Sequence, residues 1–209
     1  MLRLTPVVRS LIIINVLVFL AEMIGPKADF GYCFGGQGDV KDVVTGFLAL
    51  YNTQLDCFKP YQLFTYMFVH GGISHIFFNM LSLAFMGPML ENHWGTGRFT
   101  AFYIFTGIGA GVFNIFVSTF FGVGTFGTMV GASGAIYGIL MGFGMLFPNM
   151  EIQLLIPPIP IKAKYLVLVL GGLNFILDRG ANVAHFAHLG GVVFAFILIT
   201  IWKSQGKND

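Results

Sequence analysis

Apolar residues gather in six segments of membrane length, at about residues 10–24, 73–90, 99–121, 133–147, 165–177 and 184–202. Each predicts a transmembrane helix. Pro157-Pro158 and Pro160 break the chain between the fourth and fifth segments. Residues 25–72 form one long connection that is itself unusually apolar, with Phe47-Leu48-Ala49-Leu50 and Phe64-Thr65-Tyr66-Met67-Phe68. A loop of that character is expected to lie partly in the membrane interface as an amphipathic piece. No internal repeat, low-complexity tract or second domain interrupts the pattern. The expectation is an all-α polytopic membrane protein, one domain over residues 1–209, with six spans and a long, partly embedded first outer loop.

Composition supports this reading. Hydrophobic residues make up 56 % of the chain and charged residues only 10 %, against roughly 25 % charged in a soluble domain. So little charge cannot cover a surface facing water. The formal net charge is +2, without a basic run or an acidic tail, which argues against a nucleic-acid partner. The first segment follows Arg3 and Arg9, as a signal peptide would. Glu22, Pro26 and Lys27 stand where a small-residue cleavage site would be needed, so it is taken as an uncleaved span.

Six spans put both termini on one side of the membrane. Arg3, Arg9, Arg98, Lys162, Lys164, Lys203 and Lys207 then share that side, and Lys27, Lys41, Lys59 and Arg179 the other. The positive-inside rule makes the terminal side cytoplasmic. Cys33 and Cys57 both fall in the outer loop. They bridge if that loop is oxidised; two packed free thiols are the other reading.

The unusual polar residues lie at one level. Ser133 precedes Pro148 by 15 residues, His188 precedes Lys203 by 15, and His75 precedes Glu91 by 16. At about 1.5 Å per residue, each sits roughly 22–24 Å above the inner boundary of a core about 30 Å thick. Asn79 shares the helix face of His75. Histidine and asparagine are costly in a membrane unless paired or hydrated, and their default reading is a functional site facing water. Bonding between packed helices is the alternative.

Serine is a weak nucleophile until a base takes its proton, and histidine is the usual base. Ser133 and His188 lie on different segments and would need close helix approach, which small residues permit. Gly134, Gly138 and Gly142 repeat every four residues on one, and Gly191 and Ala195 stand four apart on the other. Acyl transfer also needs donors for a developing oxyanion. His75, Asn79 and the Ser133 amide, free at a helix start, are candidates. No carboxylate neighbours His188 except Asp178 in the loop before, so the set is a dyad rather than a triad. His185 shares the face of His188 and is a rival base. Tyr137, one turn after Ser133, either packs on His188 or is an ordinary core tyrosine. His70 and His93 are taken as structural or interfacial. No H-E-x-x-H and no carboxylate at ligand spacing occurs, so neither a metal nor another cofactor is expected.

These residues resemble a known family. Gly131-Ala132-Ser133-Gly134 is similar to the G-x-S-G of rhomboid intramembrane serine proteases. The run Ala187-His188-Leu189-Gly190-Gly191-Val192-Val193-Phe194-Ala195 resembles their A-H-x-x-G-x-x-x-G, with alanine in place of the last glycine. His75-Ile76-Phe77-Phe78-Asn79 is similar to their H-x-x-x-N. The resemblance covers the six-span core, about residues 10–202, and implies a rhomboid-like fold. It implies that Ser133 is the nucleophile and His188, rather than His185, the general base. His75, Asn79 and the Ser133 amide would bind the oxyanion. Gly131, Gly134, Tyr137 and Gly191 would support the site, with Tyr137 packing on His188. Glu91 and Arg98 would be structural, and residues 178–183 would cap the site.

The expected activity is hydrolysis of peptide bonds in or beside transmembrane segments of membrane-protein substrates. The expected partners are those substrates and the lipid bilayer. The expected location is the inner membrane of a bacterium, with both termini cytoplasmic and the site opening outward. An inactive rhomboid-like escort protein is one alternative, and a small channel or transporter using the His/Asn cluster is another.

Overall fold

The computed structural model describes residues 3–34, 40–122, 128–153, 159–177 and 182–206. Among them the chain is mostly helical. Helix α1 (Pro6–Ile24) opens with proline, whose fixed φ suits a first turn, and ends before Gly25-Pro26. A short antiparallel hairpin, β1 (Lys27–Asp29) and β2 (Val40–Asp42), begins the long connection. It continues through two short helices, α2 (Val43–Leu48) and α3 (Gln62–Thr65). Then come α4 (Ile73–Trp94), α5 (Thr96–Phe121) and α6 (Ser133–Leu146). A second hairpin, β3 (Glu151–Gln153) with β4 (Pro160–Lys162), leads to α7 (Leu166–Leu177) and α8 (Asn182–Ser204).

The six apolar segments thus all form helices. Four of them, α1, α4, α5 and α8, are long and apolar enough to cross a membrane; α6 and α7 are shorter apolar helices of 14 and 12 residues. The expected cap at residues 178–183 and the Pro157-Pro158 break fall mainly outside the described residues.

Helix α8 packs on both α5 and α6, and α4 packs on α1 and α6. The core between them is filled by Leu83, Leu90, Phe99, Phe102, Ile139, Phe143 and Leu166, each nearly or fully buried. Large apolar side chains also point outward, among them Phe77, Phe78 and Phe85 of α4, and Phe120 and Phe121 of α5. In water such a surface would aggregate. In lipid it costs nothing, and helix association rests on close packing and internal hydrogen bonds.

A polar tie fixes α1 to α4. The buried Glu91 carboxylate of α4 accepts hydrogen bonds from the amides of Val7 (3.0 Å) and Val8 (3.1 Å), and from the Thr5 hydroxyl. It therefore caps α1 from a distance, satisfying amides that have no partner within their own helix. Gly95 alone joins α4 to α5, at φ +78°, where only glycine is at ease.

The long connection is an ordered unit. Gln62 is its hub: its Nε2 donates to the carbonyls of Phe47 (3.2 Å) and Cys57 (3.1 Å), and its Oε1 accepts from the Lys59 amide (3.0 Å). Cys33 and Cys57 form a disulfide with Cα atoms 5.3 Å apart, which settles the open question of these two residues. The unit then reaches the entry to α6. Leu50 and Met129 exchange backbone hydrogen bonds of 2.9 Å, and the Gly131 amide donates to the Tyr66 carbonyl at 2.9 Å. These bonds hold the strand-like approach to Ser133 in place.

Candidate active site

Ser133 is the first residue of α6. Its position follows from Gly131, whose φ of +109° turns the chain into the helix. A side chain there would be strained, and its Cβ would also stand 2.5 Å from the His75 ring. His188 stands in the second turn of α8. Its Nε2 lies 2.9 Å from the Ser133 Oγ, within hydrogen-bond distance. The Tyr137 ring stacks on the His188 ring, with centroids 4.1 Å apart and planes at 13°. The Tyr137 hydroxyl donates to the Leu170 carbonyl at 3.2 Å, which ties this stack to α7. Ser133 and His188 are both half-buried. A hydroxyl held on an imidazole in this way can lose its proton to that base.

Close approach of α6 and α8 makes the contact possible. A Cβ on Gly191 would lie 1.9 Å from the Gly134 carbonyl oxygen, so bare backbone faces bare backbone. A Cβ on Gly134 would meet Ala110 of α5 at 2.6 Å and the Ala187 carbonyl at 3.7 Å. The other glycines of α6 behave differently from expectation. Gly138 faces Thr106 of α5, and Gly142 faces Phe102 of α5 with Trp94 and Leu90 of α4. Only Gly134 of the three meets α8.

His75 lies against this corner. Its Cε1–Nε2 edge faces Gly131, and its Nδ1 accepts a hydrogen bond from the Gly71 amide at 3.3 Å. Asn79 is buried, and its Nδ2 donates to the His75 carbonyl at 2.8 Å. A carboxamide carries two N–H donors, so the second remains for other use. Ser133, His188, Tyr137, Gly131, Gly134, Gly191, His75 and Asn79 are thus gathered at one end of the helix bundle. Among the described residues no group of three or more His, Cys, Asp or Glu is arranged to hold a metal ion.

Two further residues are drawn in, His70 and Glu22. His70 packs its ring edge-on against His75, with centroids 5.1 Å apart. Burial pushes the His70 imidazole down to about 4, with His75 adding to the effect, so it is neutral. The Glu22 carboxylate of α1 accepts from the His70 amide at 3.1 and 3.3 Å. The signal was present in Glu22 itself, since an acidic residue inside an apolar span is a functional candidate by default.

Comparison with known proteins identifies the family. Residues 58–205 match the family model of the Rhomboid domain. The chain is 32 % identical to RHOMBOID-like protein 1 of Arabidopsis thaliana over 140 residues, covering 67 % of this chain and 34 % of that one. It is 30 % identical to RHOMBOID-like protein 4 of the same plant over 178 residues, covering 84 % of this chain and 39 % of the relative. It is 26 % identical to Rhomboid protease GluP of Bacillus subtilis (strain 168) over 162 residues, covering 78 % and 30 % respectively. The chain therefore spans only 30 to 39 % of the length of these relatives. With a family match over most of its length and apolar helices of spanning size, this chain is an integral membrane protein that belongs to the rhomboid family.

Proposed function

We propose that the chain is an intramembrane serine endopeptidase that cleaves peptide bonds in or next to transmembrane segments of membrane proteins. The observation that supports this most strongly is the 2.9 Å contact between His188 Nε2 and Ser133 Oγ, with the imidazole braced on Tyr137. One relative, Rhomboid protease GluP, carries protease in its name.

In this reading Ser133 Oγ attacks the scissile carbonyl carbon as its proton passes to His188 Nε2. The carbonyl oxygen becomes an oxyanion, which the His75 imidazole, the free Asn79 N–H and the Ser133 amide stabilise. Collapse of the tetrahedral intermediate expels the amine, which takes the proton from His188. Water then attacks the acyl ester, His188 accepts its proton, and Ser133 is regenerated. The chemistry calls on no cofactor or metal. Aromatic stacking limits the ring to one orientation, so its Nε2 serves both proton transfers.

Helices α1, α4, α5, α6, α7 and α8 serve as six spans, with α6 short because it begins below the outer membrane surface. Both termini lie on the cytoplasmic side, and the site opens to the opposite side. Substrates come from the bilayer. They must unwind locally, because a helix keeps its own carbonyls engaged.

The test is cleavage of a reconstituted transmembrane substrate by wild-type protein and by Ser133→Ala, together with labelling by a fluorophosphonate. Cleavage lost in the variant and label confined to Ser133 support the proposal. Cleavage retained in Ser133→Ala overturns it. Neither cleavage nor labelling in the wild type favours an escort protein that binds without cutting.

A further inference from the structure

Glu22 lies in the last turn of α1 and is 8 % exposed. A carboxylate in such a place is costly unless hydrogen-bonded. Both of its oxygens face one donor, the His70 amide. The next amide in the chain, that of Gly71, donates to His75 Nδ1. Two successive amides of one tight turn are thus engaged, the first by α1 and the second by His75. Gly72 follows at φ +152° and leads into α4. Glu22 also lines a cavity of about 490 Å³, together with Phe19, Lys27, Asp42 and Thr45.

The hydrogen bond at Nδ1 has a chemical consequence. An imidazole nitrogen that accepts cannot carry the proton, so a neutral His75 must carry it on Nε2. That nitrogen belongs to the ring edge turned toward Gly131, two residues before Ser133. The His70 ring, edge-on to His75 on another side, limits rotation of the imidazole.

We propose that Glu22 is a positioning residue: by holding the His70 amide it aims the Gly71 amide at His75 Nδ1 and so keeps His75 as the tautomer whose Nε2–H faces the site. This rests on the reading above in which His75 is an oxyanion donor. Glu22 itself touches no reacting atom. Without it, the turn is free to rotate the Gly71 amide away, and His75 divides between two tautomers, one of which offers no donor.

The experiment uses the full chain in lipid, with Glu22→Gln and Glu22→Asp as variants, and reads two quantities. One is kcat and KM on a transmembrane substrate. The other is the histidine ring nitrogen NMR signature, assigned to His75 by its loss in His75→Ala. Wild type should show His75 with Nδ1 unprotonated and Nε2 protonated. Glu22→Gln keeps a carbonyl acceptor at the same reach and should retain kcat within about threefold. Glu22→Asp keeps the charge but is one methylene shorter. It should lower kcat about tenfold to a hundredfold with KM within about twofold, and give a mixed His75 signature.

A wild-type His75 protonated on Nδ1 overturns the proposal whatever the variants do. So does a Glu22→Asp protein with wild-type kcat and an unchanged His75 signature. If the wild type fails to cleave, the protease reading fails instead. The tautomer comparison between wild type and Glu22→Asp then still decides the positioning role.

Discussion

Gly191→Ala adds one methyl group and should nearly abolish activity. The added Cβ would stand 1.9 Å from the Gly134 carbonyl oxygen and 2.9 Å from its carbon. Nothing in that contact can rotate aside, because both atoms belong to the backbone of α6. Ordinary contact begins near 3.4 Å, so α6 and α8 must part by about 1.5 Å at this point. His188 is one turn away on the same helix. If half of the displacement reaches it, the 2.9 Å contact with Ser133 Oγ opens beyond about 3.5 Å and is no longer a hydrogen bond. A misplacement of about 1 Å between reacting groups costs on the order of a hundredfold in rate, or about 2.7 kcal/mol in the barrier. Overpacking should cost about 1–3 kcal/mol of stability in addition.

The assay is cleavage of a reconstituted transmembrane substrate, with fluorophosphonate labelling of Ser133 and a thermal melt on the same samples. Cleavage and labelling should fall together by about a hundredfold, since both require the proton on Ser133 to pass to His188. Gly172→Ala is the control, because a Cβ there meets nothing within 4 Å. It should leave both rates unchanged. A Gly191→Ala protein that melts lower but cleaves within about threefold of wild type would refute the reasoning, since the dyad would then tolerate the separation.

Three further outcomes follow from other contacts. Glu91→Ala strips the acceptor from Val7 and Val8 and should cost about 2–3 kcal/mol in an unfolding titration, with Glu91→Gln losing less. Tyr137→Phe keeps the stack on His188 and loses the hydroxyl bond to Leu170, so kcat should stay within about threefold, whereas Tyr137→Ala should lose more than about tenfold. Cys33→Ser should lower the melting temperature through loss of a cross-link spanning 24 residues. Chain entropy puts that loss at about 3.5 kcal/mol, and reduction of the wild type should reproduce it.

Much of the fold could be read from the sequence because membrane helices announce themselves. The apolar run over residues 99–121 became α5 (Thr96–Phe121), and the run over residues 133–147 became α6 (Ser133–Leu146). The polar residues within such runs are few, so Ser133, His188, His75 and Asn79 stood out individually. Which helix each glycine meets could not be read in the same way. Gly134, Gly138 and Gly142 look like one stripe by spacing. Yet a step of four residues turns an α-helix by about 40° beyond a full turn, so the stripe drifts around the axis. Gly134 accordingly sits between α5 and α8, Gly138 meets α5 alone, and Gly142 reaches α5 and α4. Likewise nothing in the chain pairs Glu22 with His70, which are 48 residues apart and meet only once the first loop has folded.

That loop has a part in the site that its sequence does not advertise. Helix α6 has 14 residues, about 21 Å of rise, against a hydrocarbon core of about 30 Å. On the six-span reading, the chain before Ser133 must therefore pass through membrane depth without being helical. Such backbone is tolerated only where protein satisfies its polar groups. Here Leu50 bonds both polar groups of Met129, and the Tyr66 carbonyl takes the Gly131 amide. Tyr66 is itself anchored, its hydroxyl donating to the Gly107 carbonyl of α5 at 2.6 Å. The loop supplies the partners that a helical turn would otherwise have provided. On the six-span reading it lets α6 begin low, with Ser133 at the helix tip and its hydroxyl beside His188. On that reading the length of α6, the apolar character of residues 43–68 and the depth of Ser133 have one common cause.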